Sequence, residues 1–386
     1  GRGGGVGVIR AAHAFETITG EFEETLGAPA IIKARPTFAY IAYGAGVGMY
    51  GMKTLWLEDG TVEDTLASLG ADTSGAVVTE DTNYFVRSTP AGALFWHRFD
   101  EETGVINASY TNLGHELAYS SSVATRGDIV LAINSTNNEL LVYRGFSAVG
   151  VEEATVEHIN LLTVCAYEDA VLWQAIRITP DESKAVLVYT AGEGNVTLAI
   201  VDLDDEAHPC SYHVEGETGM TALPTQTVVT NNHIIVPVIG VLPVTPLKEF
   251  DMDGNLDATR ELAFGSGILS PRNTATFLAL TTSTTIMAVT TNDIDTETLY
   301  VTTDVADVVA HRIVNPTALL VISETAFSIY DVSALEVAEE DEETAAPGAT
   351  MTSTDLTYPG IVIMSIAGAL VGSMMAAGIA AGALRL

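Results

Sequence analysis

From about residue 36 to residue 335 the chain reads as short apolar runs cut by polar turns, with little of the 3.6-residue spacing of an amphipathic helix. Asp128-Ile-Val-Leu-Ala-Ile-Asn134, the turn Ser135-Thr-Asn-Asn138 and Glu139-Leu-Leu-Val-Tyr143 together predict a β-hairpin. Ala185-Val-Leu-Val-Tyr189, a turn at Gly192 and Gly194, and Val196-Thr-Leu-Ala-Ile-Val201 repeat the pattern. The apolar runs centre near Tyr40, Phe85, Leu131, Leu187, Val236, Ala288 and Leu320. Most of the intervals are about 45 to 55 residues, the length of one blade of a β-propeller. The predicted fold is all-β, a β-propeller of six to seven four-stranded blades over residues 36–335. The short last interval leaves the blade number between six and seven.

The two ends break this pattern. Residues 1–35 read as an N-terminal extension, with a glycine-rich start and a short helix expected over Ala11 to Leu26. No charged-then-apolar leader is visible, and the expectation is that one has been removed. Near the other end, Glu339-Glu-Asp-Glu-Glu343 and the Thr/Ala/Pro/Gly run that follows have nothing with which to build a core. Residues 336–357 are therefore read as a disordered stalk. From Ile361 to Leu384 there is no charged residue. As a helix this run would be about 36 Å long at about 1.5 Å per residue, enough to cross a hydrocarbon core of about 30 Å. A buried core helix of that length would show a polar stripe, and this one offers only Ser365 and Ser373. Residues 358–386 thus predict a single transmembrane anchor with the lipid bilayer as its partner. Arg385, on the positive-inside rule, puts everything before it outside. Gly368 with Gly372 and Gly378 with Gly382 form two G-x-x-x-G pairs, the small surface through which transmembrane helices pack. Passive tolerance of glycine in the helix is the other reading.

Charge changes the picture of where such a protein lives. Acidic residues number 50 against 16 basic ones, and Lys33, Lys53, Lys184 and Lys248 are the only lysines. A formal charge of -34 repels itself strongly in dilute salt. Near 1 M salt the Debye length falls to about 3 Å and the repulsion is screened. Acidic and lysine-poor, the chain predicts a halophilic microbe or a virus infecting one. The same balance argues against nucleic acid as a partner.

Candidate chemistry is sparse. Asp251, Asp253, Asn255 and Asp257 alternate as ligands of a calcium loop would, because that hard cation collects six to eight oxygens. Gly254 is early for an EF-hand, Leu262 stands where its last ligand belongs, and a hairpin turn is the competing reading. No other cofactor is predicted. Asn107, Asn134 and Asn195 begin N-glycosylation sequons. Cys165 and Cys210 are either one disulfide or two buried thiols. His208 and His213 flank Cys210, but their spacing fits no standard zinc site. No nucleophile elbow, P-loop or dinucleotide fingerprint occurs, and no enzyme activity is predicted. Trp56, Trp96 and Trp173 lie in apolar runs and are assigned to packing.

Ile178-Thr-Pro-Asp-Glu-Ser-Lys-Ala-Val-Leu-Val-Tyr189, continued by Asn195-Val-Thr-Leu-Ala-Ile-Val-Asp202, resembles the YVTN-type β-propeller repeat. Glu182-Ser183 stands where that repeat has glycine. Gly127 to Tyr143 is similar without the Pro-Asp turn, and Thr325 to Asp331 resembles the closing strand alone. The resemblance implies a surface-layer-like propeller and carries no common catalytic set. These features predict a membrane-anchored surface structural or recognition protein, spike-like or adhesive, meeting other envelope or virion proteins through its head and its helix. A membrane-tethered propeller enzyme and a subunit of a membrane assembly are the alternatives.

Overall fold

A computed structural model describes residues 15–331, apart from 33–34, 47–48, 67–74, 79–82, 89–92, 117–122, 135–136, 146–154, 168–170, 172, 192–194, 216–220, 223, 231, 240–243, 264–268, 272–275, 283–284, 291–298, 303–304 and 316–317. The chain divides into two units, Gly1–Val337 and Ala338–Leu386, and the second lies outside the described residues. So do the predicted stalk over 336–357 and the helix over 361–384. Among the described residues no helix is long and apolar enough to cross a membrane.

The described residues are mostly β, and their strands form seven antiparallel sheets in chain order. Strand β1 (Phe15–Glu21) belongs to the last of them. The first sheet is β2 (Gly27–Ile32), β3 (Phe38–Gly46), β4 (Met49–Trp56) and β5 (Val62–Leu66). The second is β6 (Gly75–Val78), β7 (Tyr84–Ser88), β8 (Ala93–Phe99) and β9 (Ile106–Glu116). The third is β10 (Val123–Arg126), β11 (Ile129–Asn134), β12 (Glu139–Arg144) and β13 (Thr155–Asn160). A one-turn helix, α1 (Leu161–Val164), follows and is capped by the Asn160 side chain. The fourth sheet is β14 (Ala175–Ile178), β15 (Lys184–Ala191), β16 (Asn195–Asp202) and β17 (Cys210–Glu215). The fifth has five strands: β18 (Thr221–Ala222), β19 (Val228–Val229), β20 (His233–Ile239), β21 (Val244–Asp251) and β22 (Leu256–Ala263). The sixth is β23 (Leu269–Pro271), β24 (Thr276–Thr282), β25 (Thr285–Thr290) and β26 (Leu299–Thr302). The seventh is β27 (Ala310–Asn315), β28 (Ala318–Ile322) and β29 (Ala326–Asp331), completed by β1 from the other end of the chain.

The first strands of the sheets touch in a cycle. β2 lies against β6, β6 against β10, β10 against β14, β14 against β19, β19 against β23, β23 against β27, and β27 against β2 again. Strands β11 and β28 are covered on both faces. That is why they are buried at every position and read as continuous apolar runs rather than alternating ones. Aromatic rings fill the gaps between sheets. Phe38 and Tyr40 of the first sheet meet Phe99 and Phe85 of the second edge-on, at 5.8 and 5.9 Å. Trp96 of the second meets Tyr143 of the third at 5.7 Å.

Residues 15–32, expected to stand apart as part of a separate extension, instead supply strands to the seventh and first sheets. The helix expected over Ala11 to Leu26 gives way to strand β1, where Thr17, Ile18 and Thr19 favour extended backbone. The backbone N–H groups of Phe22 and Leu26 then donate to the carbonyls of Thr325 and Glu324. Phe22 packs on Phe327 at 5.4 Å, and Gly20 lies so close to the Phe327 ring that a Cβ there would overlap it.

Candidate functional site

The hairpin between β21 and β22 holds the predicted calcium ligands. Asp251 Oδ1 accepts from the backbone N–H of Asp253 at 2.9 Å and of Asn255 at 2.8 Å, and Oδ2 accepts from the Asn255 amide at 3.0 Å. Burial would push the Asp251 carboxyl up, but these donors outweigh it and hold it below its ordinary value. Gly254 sits at φ +87°, against the ring of His213 from the neighbouring sheet. The Asp257 carboxylate lies 4.0 Å from His233 Nδ1. The oxygens of Asp251 are thus turned to the loop's own N–H groups, and the geometry is that of a hairpin turn. Among the described residues no group of three or more His, Cys, Asp or Glu side chains is placed to hold a metal ion.

The sequons differ in access. Asn107 is exposed beside the start of β9. Asn134 is 6% exposed, its amide N–H donating to Glu139 and its oxygen accepting from the Asn137 backbone. Asn195 opens β16, and its side chain lies outside the described residues. Gly368, Gly372, Gly378 and Gly382 lie outside them as well.

Between the third and fourth sheets the two cysteines meet. Cys165, just after α1, is disulfide-bonded to Cys210, the first residue of β17, with 4.7 Å between their Cα atoms. Tyr167 stacks on Tyr212 at 4.9 Å, and Trp173 stands edge-on to both. His208 donates from Nδ1 to the Asp202 carbonyl at 2.9 Å, and its Nε2 lies 2.8 Å from the Glu157 carboxylate on β13. Burial alone would lower the His208 pKa, but the Glu157 and Asp202 oxygens outweigh it and raise it.

A second arrangement has no counterpart in the sequence motifs. Three arginines project from first strands, and each binds main chain of the following sheet. Arg126, the last residue of β10, donates from Nε to the Pro180 carbonyl at 3.1 Å. Arg177 of β14 donates from Nε to the Thr227 carbonyl at 2.9 Å, with a second bond from its Nη1 to Ile176. Arg312 of β27 donates from Nη1 to the Ile31 carbonyl at 3.2 Å. All three are partly buried. Burial lowers their affinity for the proton, to about 10 for Arg177 and Arg312. The charge of Arg312 lowers that of Arg177 further, although the two stand on the seventh and fourth sheets. Beside Arg126, Asp181 and Glu182 act in the opposite sense. In a chain with 50 acidic residues, none of β2, β6, β10, β14, β18, β19, β23 or β27 contains Asp or Glu. Of the seven far-edge strands, β1, β5, β9, β13, β17 and β22 each have at least one, and β26 has none.

A chance arginine on one strand carries no signal. The same device on three first strands becomes legible only once the strand order is known. No known protein family matches the sequence, and no curated protein matches it.

Proposed function

We propose that the chain is a membrane-anchored surface protein that recognises or holds other envelope components, with a seven-bladed β-propeller as its head. The cycle of contacts among the first strands supports the propeller, as does the last sheet built from both ends of the chain. The Thr179-Pro-Asp-Glu-Ser turn suits the YVTN-type repeat, because Glu182 has φ +65° where that repeat carries glycine. Residues 336–357 act as the stalk and Ile361 to Leu384 as the span. The charge of -34 fits a halophilic cell envelope or the membrane of a virus infecting such cells. Asn107, which is exposed, is better placed than the buried Asn134 to carry a glycan, because an acceptor must be reachable.

The observation that carries the reading is the uncharged run from Ile361 to Leu384 behind an acidic β-rich body. Alkaline carbonate extraction of membranes tests it. The full chain is expected to stay in the pellet, and a chain lacking 358–386 to move to the supernatant. Extraction of the full chain would remove the anchor.

A second reading, a subunit bound to a partner helix, rests on Gly368, Gly372, Gly378 and Gly382. Gly368→Leu with Gly372→Leu keeps the run apolar, so insertion should persist while crosslinked complexes diminish. Unchanged complexes would make those glycines passive.

A further inference from the structure

Strand β29 is the last described element, and the chain that leaves it at Asp331 is the one that leads to the acidic run and the uncharged span. β29 is not an edge strand. It shares five partner pairs with β28, from Ala318 opposite Asp331 to Ile322 opposite Phe327. It shares six with β1, from Phe15 opposite Asp331 to Glu21 opposite Ala326. Without β1 it would stand at the margin of its sheet, held on one side only. The chain then runs on from β1 through Phe22 and Leu26 into β2, in the first sheet. The N–H groups of Phe22 and Leu26 donate to the carbonyls of Thr325 and Glu324 at 2.8 and 2.7 Å. Gly60, in the turn between β4 and β5, has φ +75° and lies so close to Ile18 that a Cβ there would overlap it. The first sheet therefore meets β1 both through the chain and through this turn.

The direction of a pull decides how these pairs respond. Hydrogen bonds in an antiparallel ladder run perpendicular to the strands. A pull on Asp331 along β29 loads both ladders in shear, and all the pairs share it. A pull that separates the two ends of the described chain acts differently. Phe15 lies opposite Asp331, so β1 would peel from β29 one pair at a time.

We infer that β1 is a load-bearing strap. It holds the tether strand β29 in the seventh sheet and carries force arriving at Asp331 into the first sheet. A head pulled by what it has bound then keeps the seam between those two sheets closed. The end of the strap at Phe15 is its point of release. The inference rests on the reading of residues 336–386 as stalk and anchor.

The test is single-molecule force spectroscopy of the full chain in nonionic detergent and 2 M potassium chloride, with the C-terminus fixed covalently to the surface. One pulling handle is attached through Asn137→Cys, an exposed turn position that the propeller reading sets at the opposite end of the strands from Asp331. In a second set the handle is at the N-terminus. The seventh sheet should break at a several-fold higher force from Asn137 than from the N-terminus. Gly20→Leu, whose side chain would overlap the Phe327 ring, should roughly halve the force from Asn137, since six of the pairs along β29 belong to β1 and five to β28. Should that variant fail to fold, Thr19→Cys with Ser328→Cys places two thiols opposite each other in the ladder. Oxidation of that pair should raise the N-terminal force to the Asn137 level. Equal forces from the two handles in wild type, an unchanged Asn137 force in folded Gly20→Leu, or an N-terminal force that the oxidised pair does not move overturns the inference. Because the C-terminus is held covalently, these forces read the strap alone, whereas carbonate extraction reads the anchor.

Discussion

Removing the Cys165–Cys210 bridge should destabilise the head by about 2–4 kcal/mol, because the bridge mainly limits the unfolded chain. It closes a segment with a sequence separation of 45 residues. The loop-entropy relation gives about 4 kcal/mol for that length at 25 °C, an upper figure that measured bridges often fall below. Set against a typical total of about 5–15 kcal/mol, the loss is large. The native side should change little on Cys165→Ala with Cys210→Ala, since no polar group is buried by the change. At about 2–4 °C per kcal/mol for a domain of a few hundred residues, the melting point should fall by roughly 4–16 °C. Trp173 is 1% exposed and stands beside Tyr167 and Tyr212 at the bridge, so its fluorescence reports the transition. The assay is urea unfolding of the full chain at constant 2 M potassium chloride, with and without reductant. Reductant should shift the wild type toward the double variant and leave the variant alone. Equal midpoints for all samples, or alkylation of both cysteines in wild type denatured without reductant, would refute the reasoning.

Three further outcomes follow from charge and backbone. The head should lose its cooperative melt on dialysis from 2 M to 50 mM potassium chloride and regain it on return, since its self-repulsion is screened only in concentrated salt; equal melting points in both would count against halophily. Glu182→Gly should stabilise by about 0.5–1 kcal/mol, the relief of a left-handed residue less the extra freedom of the unfolded glycine; a lower melting point would mean that the Glu182 carboxylate beside Arg126 matters more. The raised pKa of His208 makes its bond to Glu157 fully stabilising below about pH 6.5, its unfolded value, and progressively lost as pH rises through the folded one. Wild type should therefore melt higher at pH 6 than at pH 8.5 by a margin that shrinks in Glu157→Gln; an unchanged margin would show that other groups carry the dependence.

The strands were legible because burial on both faces leaves apolar runs too long for turns and too short for helices. Tyr40, Phe85, Leu131, Leu187, Val236 and Leu320 all lie on the central strand next to the first edge of their sheets, and Ala288 lies one strand farther out, on β25. Strand β1 was not legible. Its pairing with β29 joins residues some three hundred positions apart, and no local pattern records that. Asp251 illustrates the opposite difficulty. Alternating oxygens serve a calcium loop and an Asx-type turn equally well in sequence, and the bonds from the loop's own N–H groups to Asp251 become visible only in the structure. The arginines on β10, β14 and β27 share no motif, so their common place on first strands is a property of topology alone. Pairing of the cysteines was open for the same reason, because their meeting depends on how the third sheet packs on the fourth.

The most direct measurement of the account is protease shaving of sealed membranes carrying the full chain, in molar salt, with intact-mass analysis of what is released. The acidic and Thr-rich stretch should be cut first, between residues 336 and 357. A soluble, cooperatively melting fragment that begins at the N-terminus should appear outside, and a peptide containing Ile361 to Leu384 should stay in the membrane. Release of the uncut chain, protection of the head until the membrane is opened, or first cleavage within the turns between strands would contradict a β-propeller held outside the membrane on a stalk.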